Sequence, residues 1–126
     1  MELVLDAYKL TDRFPASERY GLSKETRRSA VSIPSNVAEG HNRHAPKVYL
    51  NHVNIALGSQ AELDTQFEIA RRLGYVTAEE LKPTLEKLVR VGQMLHGLQR
   101  SLEASTTMTR GFLALFCAFA LWLALA

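Results

Sequence analysis

Cysteine is almost absent from this chain. The single Cys117 excludes an intrachain disulfide framework and any cysteine-based zinc site. Four prolines and seven glycines are too few for a disordered or fibrous chain. Neither sign of charge dominates. The 15 Lys and Arg stand against 13 Asp and Glu, and the resulting +2 gives little reason to expect tight, charge-driven binding of nucleic acid. Met1 to Asp12 carries three acidic residues and no long apolar run, so no secretory leader is expected. The 126 residues suffice for one domain with a core that needs no covalent staple.

What is present reads as helix throughout. Apolar residues recur at three- and four-residue steps, and no alternating run of strand length occurs. A first helix is expected over residues 2–13, with Leu3, Ala7 and Leu10 inward. A second is expected over about 24–43, N-capped by Ser23, with Ala30, Ile33, Val37 and Ala38 apolar. Pro34 lies inside it and predicts a kink or a break, with Ser32, Ser35 and Asn36 best placed to bond the freed carbonyls. A third is expected over about 46–73, with Leu50, Val53, Leu57, Ala61, Asp64, Phe67 and Ala70 on one face. The small residues Ala56, Gly58, Ser59 and Ala61 would let a neighbour approach closely, and Gly74 would end the helix. The fourth opens on a Thr77/Glu80 capping box and continues as a stripe of Leu81, Leu85, Leu88, Gly92, Leu95, Gln99 and Leu102. Four such helices with short links predict an all-α, antiparallel up-down four-helix bundle with an extra apolar C-terminal segment. The bundle is assigned to residues 1–105, a polar link to 106–110 and an apolar tail to 111–126.

The tail reads GFLALFCAFALWLALA and is apolar on every side. Its 16 residues would span about 24 Å as a helix, short of the roughly 30 Å of a bilayer core. Three readings stay open for it. It is a short membrane anchor with Arg110 on the cytoplasmic side, or part of an oligomer core, or a non-native extension. The expected location is the cytoplasm, with inner-membrane association through the tail as the alternative.

Two basic groups flank the second helix. Arg13, Arg19, Lys24, Arg27 and Arg28 gather at its start, and Arg43, His44 and Lys47 at its end, roughly 22 Å away. Each could hold a phosphate, or each could be a solvated face, because Glu18, Glu25 and Glu39 are interleaved. His41, His44 and His52 invite a metal reading, but Pro46 separates the first two from the third and no Glu-x-x-His occurs. No metal site, cofactor or catalytic set is therefore expected, and the protein is read as non-enzymatic. Asn36, Gln60, Glu62 and Asp64 are polar on or near packing faces, which suits an interhelix network that fixes register, or an oligomer contact, more than a catalytic or ligand pocket.

The run Phe14-Pro15-x-x-Glu18-x-Tyr20-Gly21-Leu22, then Arg27 to Gly40 with its SIPSNVAEG core, then Arg43, resembles the signature of a small bacterial four-helix-bundle family. Its members are also called 23S ribosomal RNA intervening-sequence proteins. Residues Leu57 to Gln66 are similar to that family's third-helix pattern. The resemblance covers about residues 5–103. It implies homopentamers with a central channel and no established enzymatic activity. It also implies a distant tie to the accessory protein of diversity-generating retroelements, which binds a reverse transcriptase and nucleic acid through basic surfaces. The partners so implied are further copies of the chain, RNA or DNA, and a nucleic-acid enzyme, with a membrane added by the tail. Arg27, Arg28 and Arg43 match basic positions of the family pattern. Pro34, Asn36, Glu39, Gly40, Gly58, Ser59 and Glu62 belong to its motif core and are assigned to folding and assembly. The first helix is shorter than is usual there, and the tail is no part of the pattern.

Overall fold

A computed structural model describes the backbone of residues 1–125 and the side chains of residues 1–108. The chain forms four helices: α1 (Glu2–Thr11), α2 (Leu22–Asn42), α3 (Pro46–Arg72) and α4 (Ala78–Leu125), with a 3-10 turn at Ala16–Glu18. There is no strand among the described residues. The backbones of α1 and α3 each lie close to α2 and α4 but not to one another, so α1 and α3 stand on opposite corners of an antiparallel four-helix bundle.

The ends of the helices follow local chemistry. At the start of α4 the Glu80 N–H donates to Thr77 Oγ1 (3.2 Å) and the Thr77 N–H donates to Glu80 Oε2 (2.9 Å). Helix α3 ends on Gly74, whose φ of +76° suits a residue without a Cβ. The Tyr75 N–H then reaches the Ala70 carbonyl, and the Gly74 N–H the Arg71 carbonyl, both at 3.0 Å. Pro46 opens α3 in its first turn, where a missing N–H costs nothing.

Helix α2 starts differently from the expectation. Ser23 is not the cap; it is buried inside the helix, which begins at Leu22 after Gly21. The cap is the carboxylate of Glu18, whose Oε2 accepts the Leu22 N–H at 2.9 Å. A Cβ on Gly21 would lie 2.7 Å from that oxygen, so glycine makes room for the cap. Glu18 Oε1 also accepts the Tyr75 hydroxyl at 3.0 Å, tying this corner to the α3–α4 connection. The ring of Tyr75 lies 5.6 Å from that of buried Phe14.

Pro34 does not break α2, which runs unbroken from Leu22 to Asn42. Ser35 Oγ donates to the Val31 carbonyl (2.8 Å) and Asn36 Nδ2 to the Ser32 carbonyl (2.9 Å), so side chains support the turn in which proline removes a donor. The buried face of α3 is also rotated from the expected one. Val53, Ala56, Ser59, Leu63, Phe67 and Ala70 are buried, whereas Ala61 and Asp64 are exposed. Ala38 on α2 is likewise exposed. The physical reason is that α3 must serve two neighbours, α2 and α4, and a stripe counted for one does not bisect both. The polar link does not interrupt α4 as far as its side chains are described. Ser105, Thr106 and Thr107 are helical, and their hydroxyls donate to carbonyls one turn back at 2.8–3.0 Å. The three readings of residues 111–126 lie outside the described side chains. No helix is long and apolar enough to cross a membrane among the described residues.

The seam between α2 and α3 is polar as well as apolar. Ser29 Oγ donates to Glu62 Oε2 (3.2 Å), Ser32 Oγ meets Ser59 Oγ (2.8 Å), and Asn36 Oδ1 meets His52 Nδ1 (3.1 Å). Asn36 Nδ2 is already committed to Ser32, so Oδ1 accepts and His52 Nδ1 carries the proton. One turn on, buried Gly40 brings the backbones together: its Cβ would lie 2.6 Å from Tyr49 Cδ2 and 2.7 Å from His52 Cβ. Gly58, by contrast, has open space where a Cβ would go. Across α3–α4, Gly92 makes room for Gln60, and Gln99 Nε2 donates to Asn54 Oδ1 at 2.9 Å. Helix α1 is held to α4 by Lys87 Nζ on Asp6 Oδ2 at 2.6 Å.

Helix α1 has 10 residues and α2 has 21, so α1 spans about half the length of its neighbour. Beside the first turn of α1 a cleft of about 450 Å³ opens between α1, α2 and α4, lined by apolar side chains such as Leu3, Ile33, Val37, Val91 and Leu98.

The two motif glycines separate packing from propensity. Gly40→Ala is expected to destabilise the protein by about 1–3 kcal/mol through overpacking. Gly58→Ala is expected to stabilise it by about 0.5–1 kcal/mol through helix propensity. Urea unfolding of both variants against the parent checks the opposite signs.

Candidate nucleic-acid interface

The bundle's register decides which basic side chains meet. With Ser29, Ile33 and Gly40 turned inward, Lys24, Arg28 and Val31 fall on the outward face of α2. The α1–α2 connection then carries Arg19 and Tyr20 over that face, and α1 adds Tyr8. These residues and Arg27 line an open groove of about 540 Å³.

Arg27 is the best-anchored cation in the groove. Its Nε donates to Thr11 Oγ1 and its Nη2 to Asp12 Oδ1, both at 2.7 Å. Its guanidinium lies 4.8 Å from the centre of the Tyr8 ring. Thr11 is itself buried, so Arg27 locks the end of α1 onto α2. Arg28 reaches Glu25 only at 3.5 Å. Arg19 and Lys24 have no carboxylate partner among the described residues, and the Arg19 guanidinium lies 5.8 Å from the Tyr20 ring centre. The groove therefore holds one structural cation and three that are free or loosely held.

The other basic residues of the sequence lie elsewhere. Arg13 points to the start of α4, where it pairs with Glu80. The Thr77 backbone N–H bonded to Glu80, aided by Arg13, holds that carboxyl below its ordinary value. At the far end of α2, Arg43 pairs with Glu39 at 2.9 Å. That hydrogen bond, with the nearby His52, lowers the Glu39 carboxyl. Lys47 is exposed with no ion pair among the described residues. His41 meets Tyr49 edge-on at 5.8 Å, and His44 takes the left-handed conformation that ends α2, with a φ of +52°. Among the described residues no three His, Cys, Asp or Glu are grouped as metal ligands.

Of the motif core, Asn36, Ser59 and Glu62 bond across the α2–α3 seam, Gly40 sets its closeness, and Pro34 lines the apolar cleft. Glu39 and Gly58 face solvent. Tyr8, Tyr20 and Val31 line the groove without being expected there from the sequence. The available signal was aromatic residues close to basic ones, Tyr20 beside Arg19 and Tyr8 beside Lys9. It was obscured because Tyr8 and Arg27 meet only through tertiary packing.

A four-helix bundle with a polar α2–α3 seam and a cationic groove is the class of protein that these features define. The chain belongs to the 23S rRNA-intervening sequence protein family, whose pattern matches residues 1–97. It is similar to the crystal structure of a protein with unknown function from the S23 ribosomal protein family of Bacteroides thetaiotaomicron VPI-5482. The two share 23% identity over 76% of this chain and 87% of that chain, with a TM-score of 0.67, a likeness of fold. No curated protein matches the chain.

Arg27 and Lys24 distinguish scaffolding from free charge. Arg27→Ala is expected to cost about 1–2 kcal/mol, because it removes charge-assisted hydrogen bonds to Thr11 and Asp12. Lys24→Ala is expected to stay within about 0.5 kcal/mol. Thermal unfolding followed by circular dichroism checks both.

Proposed function

We propose that the protein is a non-enzymatic, self-associating helical bundle of the cytoplasm that serves as a scaffold on nucleic acid. The observation that carries this reading is the groove in which Arg19, Lys24, Arg27 and Arg28 converge, with three of the four free or loosely held. Cations so placed neutralise phosphates without reading sequence. The family's name, with its 23S rRNA-intervening sequence, favours RNA as the polyanion. With a net charge of only +2, binding would be local to the groove and modest in strength. The apolar cleft between α1, α2 and α4 supports self-association, since an apolar surface of this kind favours burial against a partner. The family resemblance makes about five chains the expected assembly.

Two measurements test the proposal. Fluorescence anisotropy with a labelled RNA strand is expected to show affinity that falls linearly with log salt, with a slope of about −2 to −3 for three or four phosphate contacts. Absent or salt-insensitive binding at low ionic strength would contradict the nucleic-acid half. Light scattering on the full chain is expected to give a discrete oligomer, and a monomer would contradict the assembly half.

A further inference from the structure

The run Phe14 to Leu22 holds an aromatic side chain that the fold does not use. Phe14 is buried against Tyr75, Glu18 caps α2 and accepts the Tyr75 hydroxyl, and Gly21 makes room for that cap. Tyr20 does none of this. It is 81% exposed, and the contact that its ring makes is with the Arg19 guanidinium. A phenol ring in water adds little to stability, and here it stands in the wall of a groove with four cations. Tyr8, 43% exposed and backed by Arg27, presents a second ring in the same groove, with Val31 as an apolar floor.

Cations alone would suit any polyanion. Flat apolar faces beside them suit something narrower. In a duplex the base faces are consumed by stacking on one another, and only edges and phosphates meet a protein. In an unpaired strand each base has a free π-face, and stacking on tyrosine is tolerant of sequence. Arg19 backs Tyr20 and raises its value as a platform, because a guanidinium on one side of a ring leaves the other for a base.

We propose that the groove takes an unpaired stretch of nucleic acid, with one base stacked on Tyr20 and the flanking phosphates held by Lys24 and Arg28. This deepens the reading under Proposed function and rests on it. It identifies the ligand as single-stranded, and it makes Tyr20 a determinant of that preference and the cations determinants of general affinity. Tyr8 and Val31 shape the floor on which the next nucleotide lies.

The test is fluorescence anisotropy on the full chain at low salt. It uses a labelled mixed-sequence 20-mer as RNA single strand, as DNA single strand, and as the duplex. The single strands are expected to bind more tightly than the duplex. Tyr20→Ala is expected to weaken single-strand binding about five- to a hundredfold, with duplex binding unchanged. Tyr20→Trp is expected to retain it, which a merely lost hydroxyl contact would not. The melting curve of Tyr20→Ala should overlay the parent's, because the ring is exposed. Lys24→Ala with Arg28→Ala should weaken strands and duplex alike and flatten the salt dependence. A difference between the RNA and DNA strands would say which of the two the groove prefers. Equal affinity for strand and duplex, or a Tyr20→Ala effect on both alike, would overturn the stacking inference and leave a plain phosphate site. No salt-dependent binding of any of the three would bring down the underlying reading and this inference with it.

Discussion

The close antiparallel approach of α2 and α3 is the constraint on which the rest of the structure depends. Gly40 has no room for a side chain, since Tyr49 and His52 already occupy the place of its Cβ. Beside it runs a series of polar pairs, Ser29 with Glu62, Ser32 with Ser59, and Asn36 with His52. Apolar contacts such as those of Ile33, Leu63 and Phe67 supply most of the driving force, but they tolerate sliding. A polar pair in a partly buried seam does not, because one turn of slip leaves its donor and acceptor unmatched. The pairs therefore fix register, and the glycine fixes distance.

That register has consequences on the opposite side of α2. A helix that turns positions 29, 33 and 40 inward must turn 24, 28 and 31 outward. The groove of Lys24, Arg28 and Val31 is thus the reverse face of the seam. The connection from α1 completes it, and its own geometry is set by Glu18, which caps α2 and holds Tyr75 at once. Arg27 then joins α1 to α2 from within the groove. Fold and candidate site share one helix and divide its residues between them.

How much of this was legible in the sequence follows from how local each determinant is. The Thr77/Glu80 box, the Gly74 stop and the Leu81–Leu88–Leu95 stripe depend on residues within a turn or two of one another, and each is present as read. The cap of α2 is not legible locally, because its acceptor, Glu18, comes from the 3-10 turn before the helix and not from the residue beside it. The face of α3 differs from its periodicity at Ala61 and Asp64, because burial depends on where both neighbours sit, which periodicity does not encode. Pro34 predicts a kink or a break; α2 is not broken there, and Ser35 and Asn36 bond the carbonyls around it. The basic residues of the groove were legible as a cluster. Its aromatic wall was not, because Tyr8 comes from α1 and reaches Arg27 only through the packing of two helices.

The measurement that tests the account most directly is a double-mutant cycle on Asn36 and His52, read as unfolding free energy in urea. If the seam specifies register through matched polar pairs, Asn36→Ala and His52→Ala should each destabilise, and the double variant should lose less than the sum of the two. A coupling of about 0.5–3 kcal/mol is the result the account predicts. Strictly additive losses would contradict it, since they would mean that the two side chains contribute separately and that the seam is held by apolar packing alone.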